Sequence, residues 1–208
     1  MLDKFIKYVG NNFGNPNGIG GKITTKIMNI INQNQYKVIL ENIKLEQNNN
    51  VLDIGFGNGY LINKLLRKNI PLNIYGIEIS NDMLNSVSQK NRQIIGEGRL
   101  KLSLEDISKT SFEDNTFDKI YTINSIYFWD KLEKCFSEIR RILKPNGIFF
   151  NVIYTKEYLD KIRYTRYGFK KYTVGELKNI TEENRMKIIE IIKIRENKSY
   201  CLISENKK

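Results

Sequence analysis

The chain has 208 residues, 40% of them apolar and 27% charged, with a formal net charge of +11. A length of this order buries most of its apolar surface in one core, leaves little room for two ordinary domains, and with this apolar fraction excludes a disordered chain. Histidine is absent, which removes the commonest general base and the commonest transition-metal ligand, and no apolar run approaches the roughly 20 residues of a spanning helix, so a cytoplasmic protein without membrane contact is expected.

The N-terminal residues Met1 to Gly14 mix both charge signs and lack the apolar centre of a signal peptide. A short helix is predicted over Leu2 to Val9. From Gly10 to Gly21, five glycines and Pro16 in twelve residues cannot hold regular structure. A second amphipathic helix over about Lys22 to Gln33 places Ile23, Ile27, Ile30 and Ile31 on one side. Gln35 to Lys44 is a further short helix or an extended lead-in. The segment 1–50 is therefore expected to be a helical cap belonging to the same domain as the core over 51–208.

From Val51 the apolar period alternates between that of a strand and that of a helix. Strands are predicted over Val51 to Ile54, Leu72 to Ile77, Leu100 to Leu104, Asp118 to Ile123 and Ile148 to Tyr154. Helices are predicted between them over Gly59 to Lys68, after Ser80 with Asp82 in its first turn, and over Lys131 to Leu143 up to Pro145-Asn146-Gly147. This alternation is the signature of a parallel sheet covered on both faces. Thr173 and Glu176 form a capping box for a helix to about Glu183. The runs Lys187 to Ile194 and Ser199 to Ser204 are joined by four residues, a link that permits only a hairpin and makes the last strand antiparallel. The expected fold is thus α/β and Rossmann-like, with a mostly parallel seven-stranded sheet. Cys135 and Cys201 lie in apolar-periodic surroundings and are expected to be buried or partly buried free thiols.

The chemistry concentrates at the strand ends. Val51 to Leu61, VLDIGFGNGYL, places Gly55, Gly57 and Gly59 between a strand and a helix, with Asp53 inside the strand just before them. Glycines there allow a tight turn and close approach of a ligand to the main chain. The G-x-G-x-G spacing differs from the G-x-G-x-x-G of dinucleotide binders, and an acid at Asp53 repels a pyrophosphate but receives an ammonium. Glu78 ends the next strand, where a carboxylate can accept both hydroxyls of a ribose. Asp106 follows the third strand, within reach of the exocyclic amine of an adenine, and Ile79 and Ile107 offer apolar faces to the base. Three acids at three consecutive strand ends suit a cationic nucleoside without phosphate.

These residues resemble those of the class I S-adenosylmethionine-dependent methyltransferases, in particular the small-molecule group typified by the methyltransferase 11 domain. The resemblance implies a fold with a reversed seventh strand and S-adenosylmethionine as cofactor, with S-adenosylhomocysteine as product. It implies that Asp53, Gly55, Gly57 and Gly59 hold the amino acid part, Glu78 the ribose, and Asp106 with Ile107 the adenine. Phe117 to Trp129 is similar to the family's fourth-strand motif, with Asn124 at its tip, and Leu143 to Phe150 to the turn into the fifth strand. Phe13 to Gly21 resembles a segment preceding the domain in some bacterial members, where it caps the site.

For the acceptor, Tyr127, Phe128 and Trp129 can wall an apolar or cationic molecule, and Tyr127 is the candidate for a catalytic hydroxyl, although a pKa near 10 makes tyrosine a poor base. No metal is needed. The insertion from Thr155 to Tyr172 is expected to lie over the site as a lid that contacts an anionic or aromatic substrate, with Tyr164 as a candidate substrate contact and Arg163 and Arg166 as candidate contacts to a carboxylate or phosphate. The alternative to a small-molecule acceptor is RNA or protein, which the net charge would favour; against it, the basic residues are scattered and the Asn124 motif lacks the prolines of amine-directed nucleic-acid enzymes. The oligomeric state is left open.

Overall fold

A computed structural model of the protein describes residues 31–207. The helix predicted over Leu2 to Val9, the glycine-rich stretch and nearly all of the helix predicted over Lys22 to Gln33 lie outside the described residues. The chain enters through helix α1 (Gln33–Asn42). Next come β1 (Asn50–Ile54), α2 (Tyr60–Leu66), β2 (Asn73–Glu78), α3 (Asn81–Lys90), α4 (Arg92–Gly96), β3 (Leu100–Leu104) and β4 (Phe117–Ile123). After a 3-10 turn at Ile126–Phe128 follow α5 (Leu132–Ile142), β5 (Leu143–Tyr154), α6 (Lys156–Leu159), a 3-10 turn at Arg163–Arg166, α7 (Val174–Glu183), β6 (Met186–Arg195) and β7 (Ser199–Asn206).

The seven strands form one sheet in the order β3-β2-β1-β4-β5-β7-β6. The first five run parallel, and β7 enters antiparallel between β5 and β6. Strand order reverses at β1 and β4, and in such a sheet the crevice beyond the carboxyl ends of these strands is the natural ligand site.

Alternation along the strands loads both faces. Leu52, Phe117, Ile120 and Phe149 join Phe136 and Ile139 of α5 and Leu177 of α7 in one core. Val51, Ile74, Tyr121 and Phe150 join Ile39 of α1, Ile62 and Leu65 of α2 and Val87 of α3 in the other. Because side chains alternate with period two, Asp53 follows Val51 onto the face that α1 and α2 cover. There it is buried, at 5% exposure.

Local signals hold where their chemistry is complete. Ser80 caps α3 by accepting from the Met83 N–H. Thr173 and Glu176 form the reciprocal capping box that starts α7. Both cysteines are buried and free, and burial pushes each thiol up to about 12, which leaves them unreactive near neutrality. One boundary differs from expectation: β5 begins at Leu143, not Ile148. Leu143 pairs with Phe117 and Ile148 with Lys119, so Pro145-Asn146-Gly147 sits in an irregularity of the strand. Proline lacks a ladder donor and is tolerated at such bulges. Among the described residues no helix is long and apolar enough to cross a membrane.

Candidate active site

A cavity of about 220 Å³ opens at the carboxyl ends of β1, β2, β3 and β4. The turn after β1 forms its floor. The Gly55 N–H donates to the Ile77 carbonyl at 2.8 Å, which turns the chain towards β2. Gly57 has φ +53, and a Cβ placed there would meet nothing within 4 Å. The turn therefore presents bare main chain to open space, and any side chain would fill the place where a ligand approaches.

Glu78 is clamped from the same turn. One carboxylate oxygen accepts from the Gly57 N–H at 2.9 Å, and the other accepts from Ile79 and Ser80 at 2.8 and 3.0 Å. Burial raises its pKa, and these backbone donors oppose the rise. Its position is fixed while lone pairs remain for further donors. Asp53 has no such support. Burial pushes its carboxyl up to about 8, aided by the charge of Glu78 and opposed by Tyr121. The Tyr121 hydroxyl lies beside it and, among the described residues, is the one side chain that favours its charged form. A carboxylate held this way favours a cation as its missing partner.

Asp106 is exposed at the rim and accepts from the Ser108 N–H at 2.7 Å. Ile107 beside it is buried, and Ile79 is 46% exposed. Both line the cavity with Asp106, so two apolar faces and one acceptor meet there.

Asn124 ends β4 in the left-handed region, with φ +59. Its side chain binds Gln35 of α1 at 2.7 Å and accepts from the Tyr127 hydroxyl at 3.0 Å, tying α1 to the strand tip. The Tyr127 hydroxyl also contacts the backbone N–H and carbonyl of Tyr154. Burial raises its pKa well above the ordinary value, so the hydroxyl stays protonated near neutrality and even less phenolate is present to act as a base than in free tyrosine. Phe128 and Trp129 line the cavity as expected, and Trp129 also packs on Phe136 of α5 at 6.2 Å.

The insertion after β5 does reach the cavity. Tyr158, Leu159, Ile162, Tyr164 and Phe169 line it, and Phe169 stacks on Tyr127 at 5.7 Å. Lys170 straps the segment down: its Nζ donates to the carbonyls of Trp129 and Asp130 at 2.8 and 2.9 Å.

Three expected site residues stand elsewhere. Arg163 and Arg166 are exposed and do not line the cavity. In the 3-10 turn that carries them, Thr165 is buried and donates to the Ile162 carbonyl, which sends Tyr164 inward and the arginines outward. Gly59 is also absent from the lining. It starts α2 at φ +71, and a Cβ there would lie 2.8 Å from Val87 Cγ1, so its glycine serves the packing of α2 on α3. Replacing Gly59 by alanine should cost about 1–3 kcal/mol from left-handed strain and overpacking. Thermal melting checks this, and adding Val87→Ala should recover only the overpacking part.

Sequence reasoning also missed residues. Tyr36 of α1, Asn32 just before it and Tyr154 at the end of β5 line the cavity. Tyr154 had a usable signal, since it ends a parallel strand next to β4. Tyr36 had none, because nothing in α1 reveals which face meets the sheet.

A family model described as a methyltransferase domain matches residues 52–151. The sterol 4-C-methyltransferase of Caenorhabditis elegans is 32% identical over 122 residues, covering 58% of this chain and 36% of that protein. The phosphoethanolamine N-methyltransferase of Plasmodium falciparum is 27% identical over 165 residues, covering 71% of this chain and 60% of that one. Each match therefore spans less than two thirds of the relative's own length. Among solved structures, an S-adenosylmethionine-dependent methyltransferase from Aquifex aeolicus aligns with a TM-score of 0.73 at 18% identity, covering 91% of this chain and 100% of that one. The domain match, the strand order and the reversed last strand together give the chain the Rossmann-like methyltransferase fold, with residues 52–151 similar to a methyltransferase domain.

Proposed function

We propose that the protein is an enzyme that transfers a methyl group from S-adenosylmethionine to a small-molecule acceptor. The observation that carries this reading is the meeting of Asp53, Glu78 and Asp106, from three successive strand ends, around the bare main chain at Gly57 in one cavity. These residues fit the cofactor in kind. Asp53 offers an isolated buried carboxyl to an ammonium, Glu78 offers free lone pairs to two ribose hydroxyls, and Asp106 accepts from an adenine amine between Ile79 and Ile107. Gly55 and Gly57 leave room for the amino acid part.

When bound, the cofactor supplies a methyl group on a positively charged sulfur, which is already an activated leaving group. The work left to the chain is alignment and exclusion of water. Asn124 holds the tip of β4 through Gln35 and Tyr127. Tyr127, Phe128 and Trp129 then form one wall for the acceptor, and the segment 155–172, strapped by Lys170, forms the wall opposite. Tyr36 of α1 and Asn32 just before it line the cavity, which supports counting residues 31–50 with the core.

Calorimetry with S-adenosylmethionine and with a nicotinamide dinucleotide is the test of cofactor choice. Tight binding of the first and none of the second is expected, and the reverse would overturn the reading. Labelled-methyl transfer to extract fractions should survive digestion with nuclease and protease, whereas loss of the label on digestion would move the acceptor to RNA or protein.

A further inference from the structure

The cavity has two ends of different chemistry. Its ionisable acids, Asp53, Glu78, Glu105 and Asp106, all lie at the ends of β1, β2 and β3. The rest is lined by Tyr127, Phe128, Tyr158, Tyr164 and Phe169, among others, and no Lys or Arg of the described residues lines any part of the cavity. Phe169 organises these rings, 4.8 Å from Phe128 and 6.2 Å from Tyr164. Two basic residues of the insertion are used elsewhere: Lys170 on the carbonyls of Trp129 and Asp130, Lys171 on Asp160 at 2.9 Å. Lys198 lies over the Tyr158 ring at 4.5 Å but is not part of the lining.

We infer that the methyl acceptor is a neutral amine on an apolar body that carries no acid group. The inference rests on the methyl-transfer reading and narrows it. A carboxylate or phosphate on the acceptor would be buried at the aromatic end without a counter-ion from any described residue, at a large desolvation cost. A thiol or phenol would have to ionise in the same place, with the Tyr127 hydroxyl already engaged and the carboxylates gathered at the ends of β1, β2 and β3. An alkene would become a carbocation that must then give up a C–H proton to a base the aromatic end does not offer.

An amine avoids each difficulty. Its nitrogen lone pair forms the new N–C bond as the C–S bond breaks and that electron pair goes to sulfur. The positive charge passes from sulfur to nitrogen, so no net charge is created in the cavity. A tertiary amine loses no proton, and a primary or secondary amine loses its proton to water after the product leaves. The π faces that surround the nitrogen attract the cation that forms there.

Equilibrium binding to the protein saturated with S-adenosylhomocysteine separates the classes without relying on turnover. The probes are matched sets on alkyl, aryl and steroidal bodies, each as tertiary amine, carboxylate, phosphate ester and alkene. At least one body should bind as the amine about tenfold or more tighter than as its carboxylate or phosphate. Phe169→Ala and Tyr158→Ala should each weaken that amine about tenfold, and Tyr158→Phe should restore it, because the ring and not the hydroxyl is used. Methyl transfer to the amine should rise with pH up to the amine's own pKa.

Tighter binding of the carboxylate or phosphate, weakened by Lys198→Ala, would overturn the inference, as would methylation of the alkene alone or binding of no amine on any body. Failure of S-adenosylhomocysteine itself to bind would instead sink the methyl-transfer reading.

Discussion

Glu78→Ala should weaken S-adenosylmethionine binding about 100-fold or more, because two hydrogen bonds from ribose hydroxyls to an ionised acceptor are worth about 3 kcal/mol together. The loss has a second source in the turn. Glu78 accepts the Gly57 N–H, so its removal frees the main chain that the cofactor's amino acid part must meet. Glu78→Gln should lose less, since one oxygen still accepts from Ile79 and Ser80, while its amide nitrogen cannot accept from Gly57. Titration calorimetry reads these affinities. An analogue lacking both ribose hydroxyls separates the two sources: it should bind the wild type more tightly than the natural cofactor binds Glu78→Ala, and the difference is the share of the turn. If Glu78→Ala kept wild-type affinity while remaining folded by thermal melting, the ribose assignment would be wrong.

The sequence exposed the features whose physics is local. Asp53, the glycine turn and Glu78 sit at strand ends that the apolar period marks, and the caps at Ser80 and Thr173 need only residues within three positions. The hairpin of β6 and β7 followed from the length of its link. What escaped notice depends on distant contacts. α4 buries no residue and so leaves no apolar period to detect. The arginines of the insertion were placed at the cavity on composition, but their direction is set by the burial of Thr165 and by the strap from Lys170 to the end of the turn after β4. Tyr36 lines the site because α1 crosses the sheet near Asn124, a fact of tertiary packing. The acidic half of the cavity was thus legible, and the aromatic half only where β4 itself supplies it.

Cofactor affinity should rise about tenfold per pH unit below pH ~8 and fall above it, with Asp53→Asn removing the rising limb. With a pKa of about 8, Asp53 is mostly protonated at neutrality in the free protein. An ammonium placed beside it favours the carboxylate, so binding below that pH releases one proton. Above it, the ligand's own α-amino group, whose ordinary pKa is about 7.7–8.0, must take one up.

Calorimetry in two buffers of different ionisation enthalpy counts that proton. Asp53→Asn should show none and should lose about 10- to 100-fold in affinity at the optimum. Stability should move the opposite way. The folded chain keeps a proton on Asp53 that the unfolded chain gives up near the ordinary value of 3.8, so the native state binds more protons between that value and about 8. Stability therefore falls as pH rises through this window.

Asp53→Asn should then melt higher than the wild type at about pH 9, with the difference vanishing towards pH ~4. A variant that binds worse yet melts higher is the signature of a charge kept for its ligand at a cost to the fold. Affinity that stayed flat across the window, or a melting difference that did not shrink in acid, would mean that Asp53 is not the group that receives the cation.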